Sequence, residues 1–222
     1  MADARVLTLL LVDDDALIRA GLAAILGSAP GLRVIGEAEN GVRGLELASR
    51  LDPDVILMDI RMPQLDGLSA LEELIARDPA AKVIILTTFG EEEYIDRAMA
   101  HGASGFMLKS SAPEELIAGV HAVADGAAAL SPRIARRLVE RVRGIDTQSA
   151  AAAVARVSAL TGRELDVLAL VGAGQSNAEI AGQLVLTQAT VKGHMTSILL
   201  KLGARNRVEA ALLAYQAGVA RA

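Results

Sequence analysis

The chain of 222 residues has no cysteine and no tryptophan, and only two tyrosines and two phenylalanines. Without cysteine there can be no disulfide and no thiolate metal site, and a reducing compartment is allowed. Aromatic residues make up 2% of the chain against 52% hydrophobic residues in all. The core must therefore be aliphatic, with few rings to stack on bases or sugars. Long apolar runs are also missing, and none approaches the length of a membrane span. The opening run Val6–Val12 ends in Asp13-Asp14-Asp15, which does not suit the cleavage region of a signal peptide. The expectation is a soluble protein of the cytoplasm with no membrane partner.

Positive charge is scarce in the first half. Residues 1–130 hold 10 Lys/Arg against 21 Asp/Glu, a net of −11, while residues 131–155 and 156–222 each carry +3. An acidic first half and a mildly basic second half imply two units with different partners. A surplus of this size is compatible with nucleic acid without requiring it.

The first half alternates short apolar runs with segments of helical length. Val6–Val12, Leu32–Ala38, Val55–Met58, Val83–Thr87 and Gly105–Leu108 have the flat aliphatic character of buried parallel strands. Periodic stretches near 16–28, 41–51, 67–78, 91–101 and 113–126 lie between and after them. Pro30-Gly31, Asn40-Gly41, Asp52-Pro53, Asp66-Gly67 and Gly102 punctuate the series. Five β–α units of this kind predict an α/β domain, a five-stranded parallel doubly wound sheet, over residues 1–126. Ser131-Pro132 then begins a basic helix over about 131–143 with Arg133, Arg136, Arg137, Arg141 and Arg143. With the Ala-rich segment 144–157 it makes up a linker, 127–157. The remainder, 158–222, reads as a small all-α domain of four short helices. Thr161/Glu164 and Ser176/Glu179 match the capping box, and Thr187 and Asn206 can cap the other two.

In a parallel sheet, ligands gather beyond the C-terminal ends of the strands. Here the first strand runs into Asp13 and Asp14, the third into Asp59 and the fourth into Thr87, and the fifth is followed by Lys109. Three carboxylates on one rim repel one another, and a hard divalent cation such as Mg²⁺ relieves that. A carboxylate beside such an ion can act as nucleophile toward phosphorus, with Lys109 and Thr87 serving the phosphoryl oxygens. Taken singly, each residue has an ordinary reading. Asp15 is best read as a helix N-cap, and Thr88 competes with Thr87. His101 and His121 have no partner at ligand spacing and read as surface or packing residues. In the last domain Val191, Met195, Ile198, Leu199 and Leu202 share one helix face, and Gln188, Lys192, Gly193, Thr196 and Ser197 share the other. That outer face suits a major groove, and equally the solvated face of a helical scaffold.

Leu11–Asp15, Asp54–Pro63, Asp66-Gly67, Leu86–Phe89 and Gly105–Lys109, in that order, resemble the receiver domains of two-component response regulators over about residues 5–126. The resemblance implies the flavodoxin-like fold and a phosphoacceptor, Asp59, served by a sensor histidine kinase. It further implies Mg²⁺ held by Asp13, Asp14, Asp59 and the Arg61 carbonyl, and phosphate binding and relay by Thr87 and Lys109. Phe106 stands where many receivers carry a switch tyrosine, so its ring can move but has no hydroxyl. Leu160–Glu164, Gly174–Ala181, Thr190–His194, Leu200–Gly203 and Arg207–Ala210 are similar to LuxR-type helix-turn-helix domains over about 158–219. Together they are the NarL/FixJ arrangement. This likeness puts Lys192, Gly193 and Thr196 toward double-stranded promoter DNA and His194 beside its backbone, with Gln188 of the same outer face a further DNA-binding candidate. It assigns Lys192 and Lys201 to phosphates, and it implies a homodimer when phosphorylated or DNA-bound. Val208, Ala211, Leu212 and Tyr215 share a face that could serve such a dimer, with Val208 and Leu212 better read as core. Two other classes remain open on the residues alone. One is a phosphohydrolase that turns over a small phosphate ester, and the other a LuxR-type receptor for a small ligand.

Overall fold

The computed structural model describes residues 6–88, 92–131 and 147–220. The chain divides into two compact units, one built on the sheet and one helical. The expected basic helix with its five arginines lies outside the described residues, as does Phe89. No helix among the described residues is long and apolar enough to cross a membrane.

In the sheet unit, β1 (Leu7–Val12), β2 (Leu32–Ala38), β3 (Val55–Asp59), β4 (Val83–Thr87) and β5 (Gly105–Leu108) alternate with α1 (Ala16–Ser28), α2 (Gly41–Leu51), α3 (Gly67–Arg77), α4 (Glu92–Ala100) and α5 (Pro113–Ala124). The strands run parallel in the order β2-β1-β3-β4-β5-β6. The sixth strand, β6 (Ala129–Leu130), corrects the expected five. Two paired residues are too few to leave a periodic signal in the sequence. They join the edge because Ser131 N donates to Phe106 O at 3.2 Å, continuing the ladder beyond β5.

Strand side chains alternate between the two faces. Leu9, Leu11, Leu57, Ile84, Leu86 and Met107 pack with Leu22 and Leu26 of α1 and with Leu116, Val120 and Val123 of α5. The intervening Leu10, Val12, Ile56, Met58 and Ile85 are equally buried. Helix starts follow local chemistry. Asp15 accepts from Leu17 N and Ile18 N, Asn40 from Arg43 N, and Asp66 from Leu68 N and Ser69 N, each satisfying an orphan donor of a first turn.

The helical unit comprises α6 (Thr147–Val157), α7 (Gly162–Gly172), α8 (Asn177–Leu184), α9 (Gln188–Leu202) and α10 (Arg207–Gln216). Both capping boxes form, and Thr187 and Asn206 cap α9 and α10. Ala153 and Val157 of α6 belong to the same core as Val167, Leu168, Ile180, Val191, Ile198 and Leu213. Residues 147–157, expected as linker, therefore contribute structure to the helical unit. Arg156 tightens the join by donating from Nε to Leu202 O at 2.8 Å, satisfying a carbonyl at the end of α9.

One glycine sets the geometry of the sheet rim. Gly67 N donates to Ile60 O at 2.8 Å, and a Cβ at Gly67 would lie 1.8 Å from the backbone oxygen of Asp59. Any side chain there forces α3 away from the end of β3. Gly67→Ala is expected to cost about 1–3 kcal/mol through overpacking, read as a lower urea midpoint of the full chain. An unchanged midpoint would mean that the contact relaxes freely.

Candidate functional site

The sheet order reverses beside β1, so the crevice between β1 and β3 opens at their C-terminal ends. β1 delivers Asp13 and Asp14 there, and β3 delivers Asp59. One carboxylate oxygen from each of these residues lies within 4.8 Å of the others. Asp13 and Asp59 are buried and Asp14 is exposed. At an effective dielectric near 20, two charges so close repel by about 3 kcal/mol or more. Lys109 answers part of this from the turn after β5. Its ammonium lies 2.7 Å from Asp13 Oδ2 and 3.0 Å from Asp59 Oδ2, with its side chain only 8% exposed.

One ammonium among three carboxylates leaves two formal negative charges facing oxygen ligands alone. That donor set and charge fit Mg²⁺. Burial pushes the Asp59 carboxyl above the usual carboxylate range, against hydrogen bonding and attraction from Lys109. Burial pulls Lys109 down, but its bonds to Asp13 and Asp59 outweigh that and raise it. The lysine is thus held as a cation.

Thr87 is buried at the end of β4, and its carbonyl accepts from Lys109 N at 2.8 Å. A backbone link therefore joins the two residues expected to serve the phosphoryl group. Phe106, the expected switch ring, is fully buried on β5. The Arg61 guanidinium lies 5.6 Å from the centroid of the Tyr94 ring. An open cleft of about 570 Å³ beside the carboxylates is lined by Asp14, Arg61, Met62, Tyr94 and Arg97 among others.

Two further hydrogen bonds support the rim. Arg19 Nη1 donates to the Asp13 carbonyl at 2.6 Å, and its Nε meets Glu37 Oε2 at 3.1 Å. Arg19 thereby pins the β1–α1 turn to β2. Its position one turn into α1, after three aspartates, was the available signal. Asp13 Oδ1 also accepts from Asp15 N at 3.0 Å, which turns its other oxygen toward Lys109.

In the helical unit, α9 buries Val191, Met195, Ile198 and Leu202 and leaves Leu199 half-buried. Gln188, Lys192, Gly193 and Thr196 are exposed, and His194 and Ser197 are half-buried. Gly193 costs the helix about 1 kcal/mol relative to alanine. In α10, Val208 is buried, Ala211 and Leu212 are half-buried, and Tyr215 is 57% exposed.

Lys201, expected as a phosphate contact, has a partner within the unit. Its Nζ lies 2.8 and 2.7 Å from the two oxygens of Glu164, the buried capping-box residue of α7. Ser197 Oγ donates to the same carboxylate at 2.6 Å, and Thr161 N and Oγ1 complete its partners. A carboxylate this well satisfied draws the ammonium toward α7, so Lys201 ties α9 to α7 while its side chain stays 36% exposed. The i, i+4 spacing of Ser197 and Lys201 was the sequence signal, but no local pattern identified Glu164 as their partner.

Residues 9–121 match the family model described as response regulator receiver domain, and residues 158–214 match that of bacterial regulatory proteins, luxR family. The nitrate/nitrite response regulator protein NarL of Escherichia coli K12 is 37% identical over 94% of this chain and 95% of its own length. The transcriptional regulatory protein LiaR of Bacillus subtilis is 38% identical over 93% of this chain and 96% of its own. A crystal structure of a LuxR-family two-component response regulator from an Aurantimonas species is 32% identical. It superposes with a TM-score of 0.59 over 61% of this chain and 96% of that one.

The Lys201 and Ser197 bonds, with the capping-box bonds, hold the Glu164 carboxyl at about 2, well below its usual 4.5. A carboxyl depressed on folding contributes its stability above pH 4.5 and loses it as pH falls toward 2. Glu164→Gln is expected to lower stability by roughly 1–3 kcal/mol at pH 7. The gap from wild type should narrow progressively as pH falls from 4.5 toward 2 in urea titrations. A gap independent of pH would show that the charge of Glu164 contributes nothing.

Proposed function

Because the chain belongs to the two-component response regulators, with a receiver domain followed by a LuxR-type DNA-binding domain in the NarL/FixJ arrangement, we propose that it is a transcription regulator switched by phosphorylation of Asp59. The observation that carries the reading is the Lys109 ammonium held between Asp13 and Asp59 at the sheet rim. Relatives matched over more than nine-tenths of the chain are transcriptional regulators, so neither the phosphohydrolase nor the small-ligand receptor is retained.

Asp59 receives the phosphoryl group from the phosphohistidine of a sensor kinase. One carboxylate oxygen forms a bond to phosphorus as the P–N bond breaks, and the electron pair leaves with the imidazole nitrogen. Asp13, Asp14, Asp59 and the Arg61 carbonyl are the residues that would hold Mg²⁺, which when bound supplies positive charge against the phosphoryl oxygens. Lys109 moves from its carboxylate partners to a phosphoryl oxygen, and the Thr87 hydroxyl donates to another. Movement of Thr87 makes room for the Phe106 ring to turn, which biases a two-state equilibrium in the receiver. Water later attacks the acyl phosphate, releasing inorganic phosphate and restoring the Asp59 carboxylate, a reset of the switch rather than turnover of a substrate.

The output lies on α9, whose exposed Gln188, Lys192, Gly193 and Thr196 face double-stranded promoter DNA, with His194 beside the backbone. Phosphorylation favours a homodimer, matching two half-sites on DNA, and the exposed Tyr215 on α10 offers a contact surface. A promoter partner places the action in the cytoplasm.

Wild type treated with Mg²⁺ and acetyl phosphate is expected to gain the mass of one phosphoryl group. It should then dimerise in sedimentation and bind promoter DNA about tenfold more tightly, within the usual range of coupling. Asp59→Asn and EDTA-treated wild type should do none of these. Equal phosphoryl uptake by Asp59→Asn would remove Asp59 from the role. Uptake without a change in assembly or binding would remove the switch.

A further inference from the structure

Glycine at position 193 answers no demand of the fold. Gly174 and Gly203 sit at left-handed φ, and Gly44, Gly67 and Gly119 stand where a Cβ would crowd neighbouring atoms. Gly193 does neither. It lies within α9, its φ is outside the left-handed range, and a Cβ built on it meets nothing within 4 Å. Alanine would make a firmer helix at no steric cost to the chain.

Its position is specific. Val191, Met195, Ile198 and Leu202 form the buried stripe of α9, and at 3.6 residues per turn Gly193 falls on the side directly opposite. Bare backbone is thus what α9 presents furthest from its core in its first half, and the exposed Leu200 holds the same side two turns later. The exposed Lys192 and Thr196 flank it. The Thr196 hydroxyl donates back to the Lys192 carbonyl at 3.1 Å, which keeps that group close to the helix surface.

We infer that Gly193 is a specificity-determining residue, the point at which α9 approaches the floor of the major groove most closely. The inference rests on the DNA-reading role of α9. A methyl group here would stand between helix and bases and lift Gln188, Lys192 and Thr196 from the edges they reach. Contacts to phosphates, which tolerate small displacements, would suffer less.

The test uses the full chain, treated with acetyl phosphate and Mg²⁺, to select duplexes from a random-sequence pool. Wild type, Gly193→Ala and Gly193→Val are then titrated on the selected duplex and on a scrambled one. Gly21→Ala is the control, since Gly21 of α1 is also exposed, helical and open around its Cβ. Gly193→Ala should raise the thermal midpoint by roughly 2–4 °C. It should weaken binding to the selected duplex about tenfold, leave the scrambled duplex unchanged, and enrich a different sequence in its own selection. Gly193→Val should weaken specific binding further, and Gly21→Ala should not alter binding. Gly193→Ala that binds the selected duplex as tightly as wild type, with the same enriched sequence, overturns the inference while leaving α9 as the reading helix. If the wild type enriches no sequence, α9 loses that role and the inference falls with it.

Discussion

Like charges held together at the end of a sheet are the constraint on which the receiver depends. Asp13 and Asp59 are buried and share one ammonium, Lys109. Asp14 adds a third carboxylate at the mouth. Three acidic side chains would not converge unless β1 and β3 were neighbours, and β1 and β3 adjoin because the strand order reverses there. The close packing of Gly67 on Asp59 O and the hold of Arg19 on the Asp13 carbonyl keep the rim in this shape. The site therefore carries excess negative charge in a low-dielectric setting, and a cation or a transferred phosphoryl group changes its balance strongly. That sensitivity is what a switch requires.

The helical unit solves a related problem with the opposite outcome. Glu164 is also buried, but Lys201, Ser197 and Thr161 satisfy it fully. Nothing is left for a ligand, and the carboxyl serves to hold α9 against α7. A satisfied buried charge gives orientation, while an unbalanced one gives response. Helix α9 is thus positioned by one carboxylate, and the sheet rim is left unbalanced by three.

Local chemistry was largely readable in advance. Capping by Asp15, Asn40, Asp66, Thr161, Ser176, Thr187 and Asn206 depends on residues within three positions of one another, so the sequence carries it whole. The same holds for the apolar strands, whose burial on both faces leaves continuous aliphatic runs. The two-residue β6 was not readable, because its existence rests on a free edge at β5 and not on its own composition. From sequence, residues 147–157 read as linker, because their alanines favour helix but say little about packing. Only the presence of the Ala153 and Val157 positions in a distant core decides it.

By itself the sequence determined the order of elements, the acidic rim residues, the amphipathic face of α9 and the kinship of both domains, since each is written in spacing or in contiguous motifs. Tertiary structure alone decided which partner each charge takes. Lys109 lies nearly a hundred residues from Asp13 and 50 from Asp59 along the chain. Lys201 looked identical to Lys192 as a basic residue on one helix until α7 brought Glu164 beside it. A charged side chain has little preference of its own along the chain. Its role is set by the oxygens that folding places within about 3 Å of it, and no local pattern encodes that distance.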